Sequence, residues 1–374
     1  MDQRVVDAMM PMFTKYFGNP SSTHGLGMDA ADCIDNARKE VAALIGAETG
    51  DVVFTSGATE ANNMVVHGLA MDTDRRVLYG AAEHKSVIGP CLAMGCLGLK
   101  ALPVKVTPTG VADLDHLVEV LRMPTDMVSI ALANSETGVI NPIKEISKAV
   151  HDHGAMLHSD ITQAVGKIHV DVQDLGIDIA TCSSHKVYGP KGCGALVASR
   201  EVRKKMVPMV YGGGQENNLR SGTENVPGIV GFGAACRIAY GEMASESPRL
   251  MMLRDSFERR MKSEIPDIAV NGEGAQRLPN TSNIRIRGAL ADAVMTNSTG
   301  IEISTGSACS SSTMEPSHVL TAMGLDRTAA DESIRVSLGR PTTAEDIETA
   351  VSGLAKAAEF VRSRELAVQS GGAA

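Results

Sequence analysis

The stretch MVSIALANSETGVINPIKEISKAVHDHGAMLHSD, residues 127–160, decides the fold. MVSIALAN (127–134) reads as an apolar strand that ends at polar residues. PIKEISKAVHDHG (142–154) has helical periodicity and stops at a glycine, and GAMLHSD (154–160) is again a strand. Strand, helix and strand in this order predict parallel neighbours in one sheet. The alternation extends outward. DVVFTS (51–56), RRVLYGA (75–81), DIATCSS (178–184) and GALVAS (194–199) read as strands. ATEANNMVVHGLA (58–70) reads as a helix, and a further helical stretch starts near Ser86. An α/β architecture follows: a mostly parallel sheet with helices on both faces.

The texture changes after residue 236. A long helical segment, 236–263, leads to the strands NIRIRG (283–288) and ESIRVSLG (332–339) and to a helix at 344–365. This predicts a smaller α+β domain, and the terminal QSGGAA is expected to fray. The chain shows no internal repeat and no low-complexity block.

Composition bounds the function. With 374 residues, 43% hydrophobic and 21% charged, the chain is expected to be globular and large enough for two domains. A net charge of −9 argues against general affinity for nucleic acid or anionic membranes. No apolar run is long enough for a bilayer, and nothing at the start resembles a signal peptide. Seven irregularly spaced cysteines fit reduced thiols and a cytoplasmic location better than a disulfide framework. No group of cysteines or histidines has zinc-site spacing, so no metal is expected.

In open α/β sheets, ligands gather beyond the carboxyl ends of the strands. Ser56-Gly57, Asn134, Asp160 and Ser183–Lys186 all sit at such ends. TSGATEANN (55–63) is a strand, a glycine turn and a helix start that suits a phosphate, with Thr59 adding a hydroxyl; it reads equally as a capped helix. HGLGMDAAD (24–32) mimics a dinucleotide fingerprint but follows no strand, and is rejected. Asp160 can meet a cationic partner such as a pyridinium N–H, or cap the next helix. His84 in EHKSV is either structural or a stacking group that shuttles protons. A desolvated Lys186 would be a usable amine nucleophile, whereas a solvated one would be an ordinary loop lysine. Cys309 in TGSACSSSTMEPS (305–317) is expected on a mobile, accessible loop rather than in the core. Arg335 and Arg340 in ESIRVSLGR offer carboxylate clamps. GGGQENNLRSGTEN (212–225), with Arg220 and Thr223, can meet a phosphate or form a surface turn.

In register from 17 to 343, these motifs resemble the cysteine desulfurases, class V aminotransferase relatives among the fold-type I pyridoxal-phosphate enzymes. The resemblance implies a large cofactor domain (16–240) with a mostly parallel seven-stranded sheet. It also implies a smaller α+β domain (241–374, with 1–15) that carries the Cys309 loop. It implies pyridoxal phosphate attached to Lys186 as an imine. Asp160 would pair with the ring nitrogen, Gln163 with the phenolic oxygen, and His84 with the ring face. Ala58 N–H, Thr59, Ser183 and His185 would hold the phosphate, and Thr223 that of the neighbouring subunit in a homodimer. Arg335 would clamp the carboxylate of L-cysteine, with Asn134 and Ser135 beside it. Cys309 would take the sulfur as a persulfide, leave alanine, and pass the sulfur to an acceptor protein for iron–sulfur clusters, tRNA or DNA. The TGSACSSS context resembles the long-loop subgroup.

Two departures stand out. The family usually reads Asn-Asn-Glu where this chain has Asn134-Ser135-Glu136. It also usually starts with a strand containing Ala-Thr-Thr, and this sequence begins just after that point. The alternatives are a selenocysteine lyase or C–S lyase of the same class, and a cofactor-binding scaffold without activity.

Overall fold

The computed structural model describes residues 1–70, 76–305 and 315–371, with the side chains of Ala70 and of residues 365–371 outside the description. The chain falls into two compact units: Met1–Val104, Ala112–Ala133 and Asn141–Ala244 in the first, and Lys105–Val111, Asn134–Ile140 and Ser245–Ala374 in the second.

Seven strands build the sheet of the first unit: β1 (Val52–Thr55), β2 (Arg76–Gly80), β3 (Lys100–Val104), β4 (Met127–Ser129), β5 (Met156–Asp160), β6 (Ile179–Ser183) and β7 (Gly194–Ala198). Their order is β1-β7-β6-β5-β4-β2-β3. Only β7 runs against its neighbours, β1 and β6, and the other pairs are parallel. The mostly parallel seven-stranded sheet is therefore present. Its strands are buried runs, as expected of a sheet covered on both faces. Val53, Val77, Met127, Ile179 and Leu196 pack with Met64, Val65 and Leu69 of the helix Ala58–Ala70. Each such side chain contributes about 1.5–3 kcal/mol relative to exposure.

Three elements depart from the sequence reading. β3 was not foreseen, because it carries Pro103 and exposed residues; as an edge strand it tolerates a proline that cannot donate to the ladder. β4 is shorter than MVSIALAN, yet the chain stays beside β5: Ile130 N and Leu132 N donate to His158 O and Asp160 O at 3.0 and 3.1 Å. The HGLG segment opens the 21-residue helix Gly25–Ile45, with His24 as N-cap. A Cβ on Gly27 would lie 2.4 Å from Ser22 O, so the small residue serves chain packing and not a dinucleotide.

Residues 1–15, expected with the smaller domain, fall in the first unit. Asp2 N donates to Tyr188 O at 3.0 Å, and Arg4 pairs with Glu242.

The second unit has a wholly antiparallel sheet, β10 (Ser304–Thr305), β11 (Ser333–Ser337), β9 (Thr281–Ile286) and β8 (Ile268–Val270), in that order. Its core joins Ile284, Ile286, Ile334 and Val336 of the sheet to Phe257 and Met261 of the helix Val226–Glu264. Val351 and Leu354 of the helix Ala344–Gly371 complete it. Among the described residues, no helix is long and apolar enough to cross a membrane.

Candidate active site

Asp160 closes β5 and is 8% exposed. Its Oδ1 accepts from Thr162 N at 2.9 Å, and its Oδ2 from Asn62 Nδ2 at 2.9 Å. A buried carboxylate needs such donors. One donor on each oxygen fixes the carboxyl plane and leaves lone pairs for a further N–H. Asn62 stands on the helix Ala58–Ala70, which lies against β5 and β6.

The phosphate-like turn is built from β1, β6 and β7. Ala58 N donates to Ser183 Oγ at 2.7 Å, so the serine hydroxyl keeps its own proton for another acceptor. A Cβ on Gly194 would lie 2.6 Å from Gly57 Cα; only a glycine there lets β7 close against the turn. Thr59 is exposed at the helix start, where backbone N–H groups have no intrahelical partner. Arg220, one of the candidate phosphate ligands, is committed elsewhere: its Nε donates to Glu60 Oε1 at 2.8 Å, and Glu60 Oε2 accepts from Ser56 N. Burial pushes Glu60 up, but Arg220 and Ser56 outweigh it and hold the carboxyl below its usual range. The ion pair anchors the 212–225 loop on the turn, with Thr223 exposed on that loop.

His185 and Lys186 follow β6 in the 3-10 turn Ser184–Val187, which ends at left-handed Tyr188. Both are exposed in this chain, so of the two readings left open for Lys186 the fold alone gives the solvated one. Burial, with Lys186 nearby, lowers the His185 pKa. Gln163 is half-buried, and no hydrogen bond to its side-chain amide occurs among the described residues. His84 caps the helix Lys85–Gly95. Its Nδ1 accepts from Ser86 N at 3.1 Å and meets Ser86 Oγ at 2.7 Å. A neutral His84 therefore carries its proton on Nε2.

In the second unit, Arg335 on β11 donates from Nη1 to Ser135 O at 3.2 Å and from Nη2 to Ser304 Oγ at 3.1 Å. Its buried Nε has no partner among the described residues. Arg340, by contrast, pairs with Glu246 at 3.1 Å. Asn134 Oδ1 accepts from Glu136 N and Thr137 N at 2.8 and 3.0 Å, which holds the Ser135 turn.

Cys309 lies outside the described residues. The other six cysteines are free thiols. Burial pushes Cys91, Cys182 and Cys193 up to about 12, and Cys236 well up, so these four are poor nucleophiles. No group of histidine, cysteine or acidic residues able to hold a metal occurs among the described residues.

The aminotransferase class-V family profile matches residues 1–349. This chain belongs to the class-V aminotransferase family. The class-V chain is 40% identical over 355 residues to the cysteine desulfurase IscS of Rickettsia bellii, covering 94% of this chain and 87% of that one. It is 43% identical over 378 residues to a cysteine desulfurase of Frankia, covering 97% and 90%. A solved structure of the NifS-like protein from Rickettsia africae superposes with a TM-score of 0.87 at 33% identity, covering 96% of each chain. The fold is thus that of the fold-type I pyridoxal-phosphate enzymes, the group to which class-V members belong.

The residues of the class-V chain fit that cofactor. Asp160 offers a doubly held carboxylate, the Ser183–Ala58 pair leaves a hydroxyl donor, and the Gln163 amide is unpartnered among the described residues. The sequence reading did not foresee Asn62, Ser86, Thr181, His158 or Ser129, which surround Asp160 and His84. Polar residues in otherwise apolar strands were the available signal.

Proposed function

We propose that the chain is a pyridoxal-phosphate-dependent cysteine desulfurase that converts L-cysteine to L-alanine and carries the sulfur as a persulfide on Cys309. One observation carries the reading: β5 and β6 are neighbours, and Asp160 closes the first while Lys186 follows the second. The names of the relatives support the same chemistry.

When bound, pyridoxal phosphate supplies an aldehyde for amine linkage and a ring that accepts the electron pair left at the substrate α-carbon. Lys186 would hold it covalently. Asp160 would pair with the ring nitrogen and keep it protonated, and Gln163 would bond the phenolic oxygen. Thr59, Ser183 and His185 would hold the phosphate, whereas the Ala58 N–H, expected as a further donor, is spent on Ser183 Oγ and would act through it. Thr223 reaches the phosphate site of the neighbouring subunit in a homodimer. His84 would stand at the ring face and move its proton at Nε2. Arg335, with Asn134 and Ser135, clamps the substrate carboxylate; its unpartnered Nε supports that role. The first unit is the cofactor domain, and Cys309 is the sulfur carrier.

The Cys309 thiolate attacks the cysteine sulfur, the Cβ–S bond breaks, and Cβ gains a proton to become the alanine methyl. Cysteine plus thiol gives alanine plus persulfide, so no external oxidant is needed. A cytoplasmic sulfur-acceptor protein, serving iron–sulfur clusters or nucleic-acid thiolation, then takes the sulfur.

The test is incubation with L-cysteine, with alanine and protein persulfide measured. Lys186→Ala loses the cofactor absorbance of the bound amine and all turnover. Cys309→Ser keeps the absorbance and forms no persulfide, and Cys96→Ser, at an exposed thiol, behaves as the parent. Full desulfuration by Cys309→Ser would contradict the assignment.

A further inference from the structure

One face of the large sheet carries polar residues to which the roles above give no part. The register pairs Ser129 with His158 and Asp160 with Thr181. Ser129, His158 and Thr181 are 0% exposed, and so is Asn62 on the helix above them. Ser129 Oγ meets His158 Nδ1 at 2.8 Å, and His158 Nε2 meets Thr181 Oγ1 at 3.2 Å. The Thr181 hydroxyl donates to Asn62 Oδ1. Asn62 Nδ2 donates to both Asp160 Oδ2 and Ser86 Oγ, each at 2.9 Å, and Ser86 Oγ meets His84 Nδ1 at 2.7 Å.

Elimination fixes every donor. The carboxylate of Asp160 only accepts, so the Asn62 amide must point its NH2 there and its Oδ1 at Thr181. Thr181 gives its one proton to Asn62 and must therefore accept from His158 Nε2–H. The Nδ1 of neutral His158 then accepts from the Ser129 hydroxyl. On the other branch, Ser86 N already donates to His84 Nδ1, so the Ser86 hydroxyl also donates to it. Every bond runs one way, from Ser129 toward Asp160 and His84. Burial keeps His158 neutral by pushing its pKa down to about 4.

We propose that Asn62, Thr181 and His158 are positioning residues of this site. Their one-way hydrogen-bond chain ends in a single amide that orients both the ring-nitrogen partner Asp160 and, through Ser86, the Nδ1 of His84. The inference rests on the roles proposed above for Asp160 and His84. A chain of bonds pointing one way polarises each member in turn, so loss of an inner link is felt at the outer ends.

The test uses the full chain, before and after loading with pyridoxal phosphate labelled with 15N in the ring. Before loading, nitrogen spectra of the histidine rings are expected to put the His158 proton on Nε2 and leave His84 Nδ1 bare. After loading, the cofactor nitrogen reads as pyridinium. Thr181→Val moves the cofactor nitrogen toward the unprotonated position and lowers kcat about tenfold, the scale of losing an orienting partner, with KM for cysteine within about twofold. Thr181→Ser restores both readings. A His158 proton on Nδ1 in the parent overturns the proposal, as does a Thr181→Val protein with unchanged cofactor nitrogen and kcat. If Thr181→Val does not fold, Ser86→Ala cuts one branch: the His84 signals move while the cofactor nitrogen stays pyridinium, and unchanged His84 signals overturn the proposal. A parent with no cofactor on Lys186 refutes the site reading instead, and the histidine spectra taken before loading still judge the chain of bonds.

Discussion

At the residue scale, two buried groups titrate in opposite senses. Burial pushes His158 down to about 4, with nearby Asp160 opposing. Between the ordinary histidine value of 6.5 and about 4, the unfolded chain binds a proton that the folded chain does not. Stability that is present above 6.5 is lost as pH falls, by up to about 1.4 kcal/mol per pH unit from this group. Burial pushes Glu83 up to about 8; the bond from Ala131 N lowers it and the charge of Asp160 raises it further. From 4.5 to about 8 the folded chain holds the proton and the unfolded chain does not, so this contribution falls as pH rises. Urea midpoints measured across pH should show the acid-side decline flattened in His158→Gln and the alkaline-side decline flattened in Glu83→Gln. Slopes identical to the parent in both variants would count against the two assignments.

At the element scale, the loop 212–225 is held by charge as well as by Leu219, which packs into the core of the large sheet. Glu216, with its side chain 2% exposed, takes a bidentate bond from Arg38 at 2.9 and 2.8 Å, and Phe54 N of β1 donates to it at 2.9 Å. The same carboxylate holds three successive left-handed residues, Glu216, Asn217 and Asn218, at φ 48, 59 and 64. Left-handed non-glycine backbone costs about 1–3 kcal/mol per residue unless its surroundings enforce it. Glu216→Ala strands Arg38 and Phe54 N, and is expected to cost about 3–5 kcal/mol. Lys144→Ala, at an exposed ion pair with Asp174, should cost no more than about 1 kcal/mol. Chemical denaturation of both separates them, and equal losses would refute the anchoring role. This anchor was not legible in the sequence, where GGGQENNLRSGTEN reads as a flexible turn. What makes it rigid is a partner 178 positions away.

At the scale of the whole molecule, the strand–helix alternation was legible because apolar runs end at Ser56, Asp160 and Ser183, where a buried strand gives way to a polar edge. The helix Ala58–Ala70 matched its reading to the residue. The helix Gly25–Ile45 had no reading of its own, but the rejection of its HGLG start as a dinucleotide loop holds. The bond network beneath Asp160 was hidden for another reason. Ser129, His158, Thr181 and Asn62 come from three strands and a helix, and only the sheet register brings them together. The central claim remains the amine that follows β6. Borohydride reduction of the cofactor-loaded chain, followed by proteolysis and peptide mass analysis, tests it most directly. A pyridoxyl mark on Lys186 is predicted; a mark on another lysine, or on none, would contradict the account.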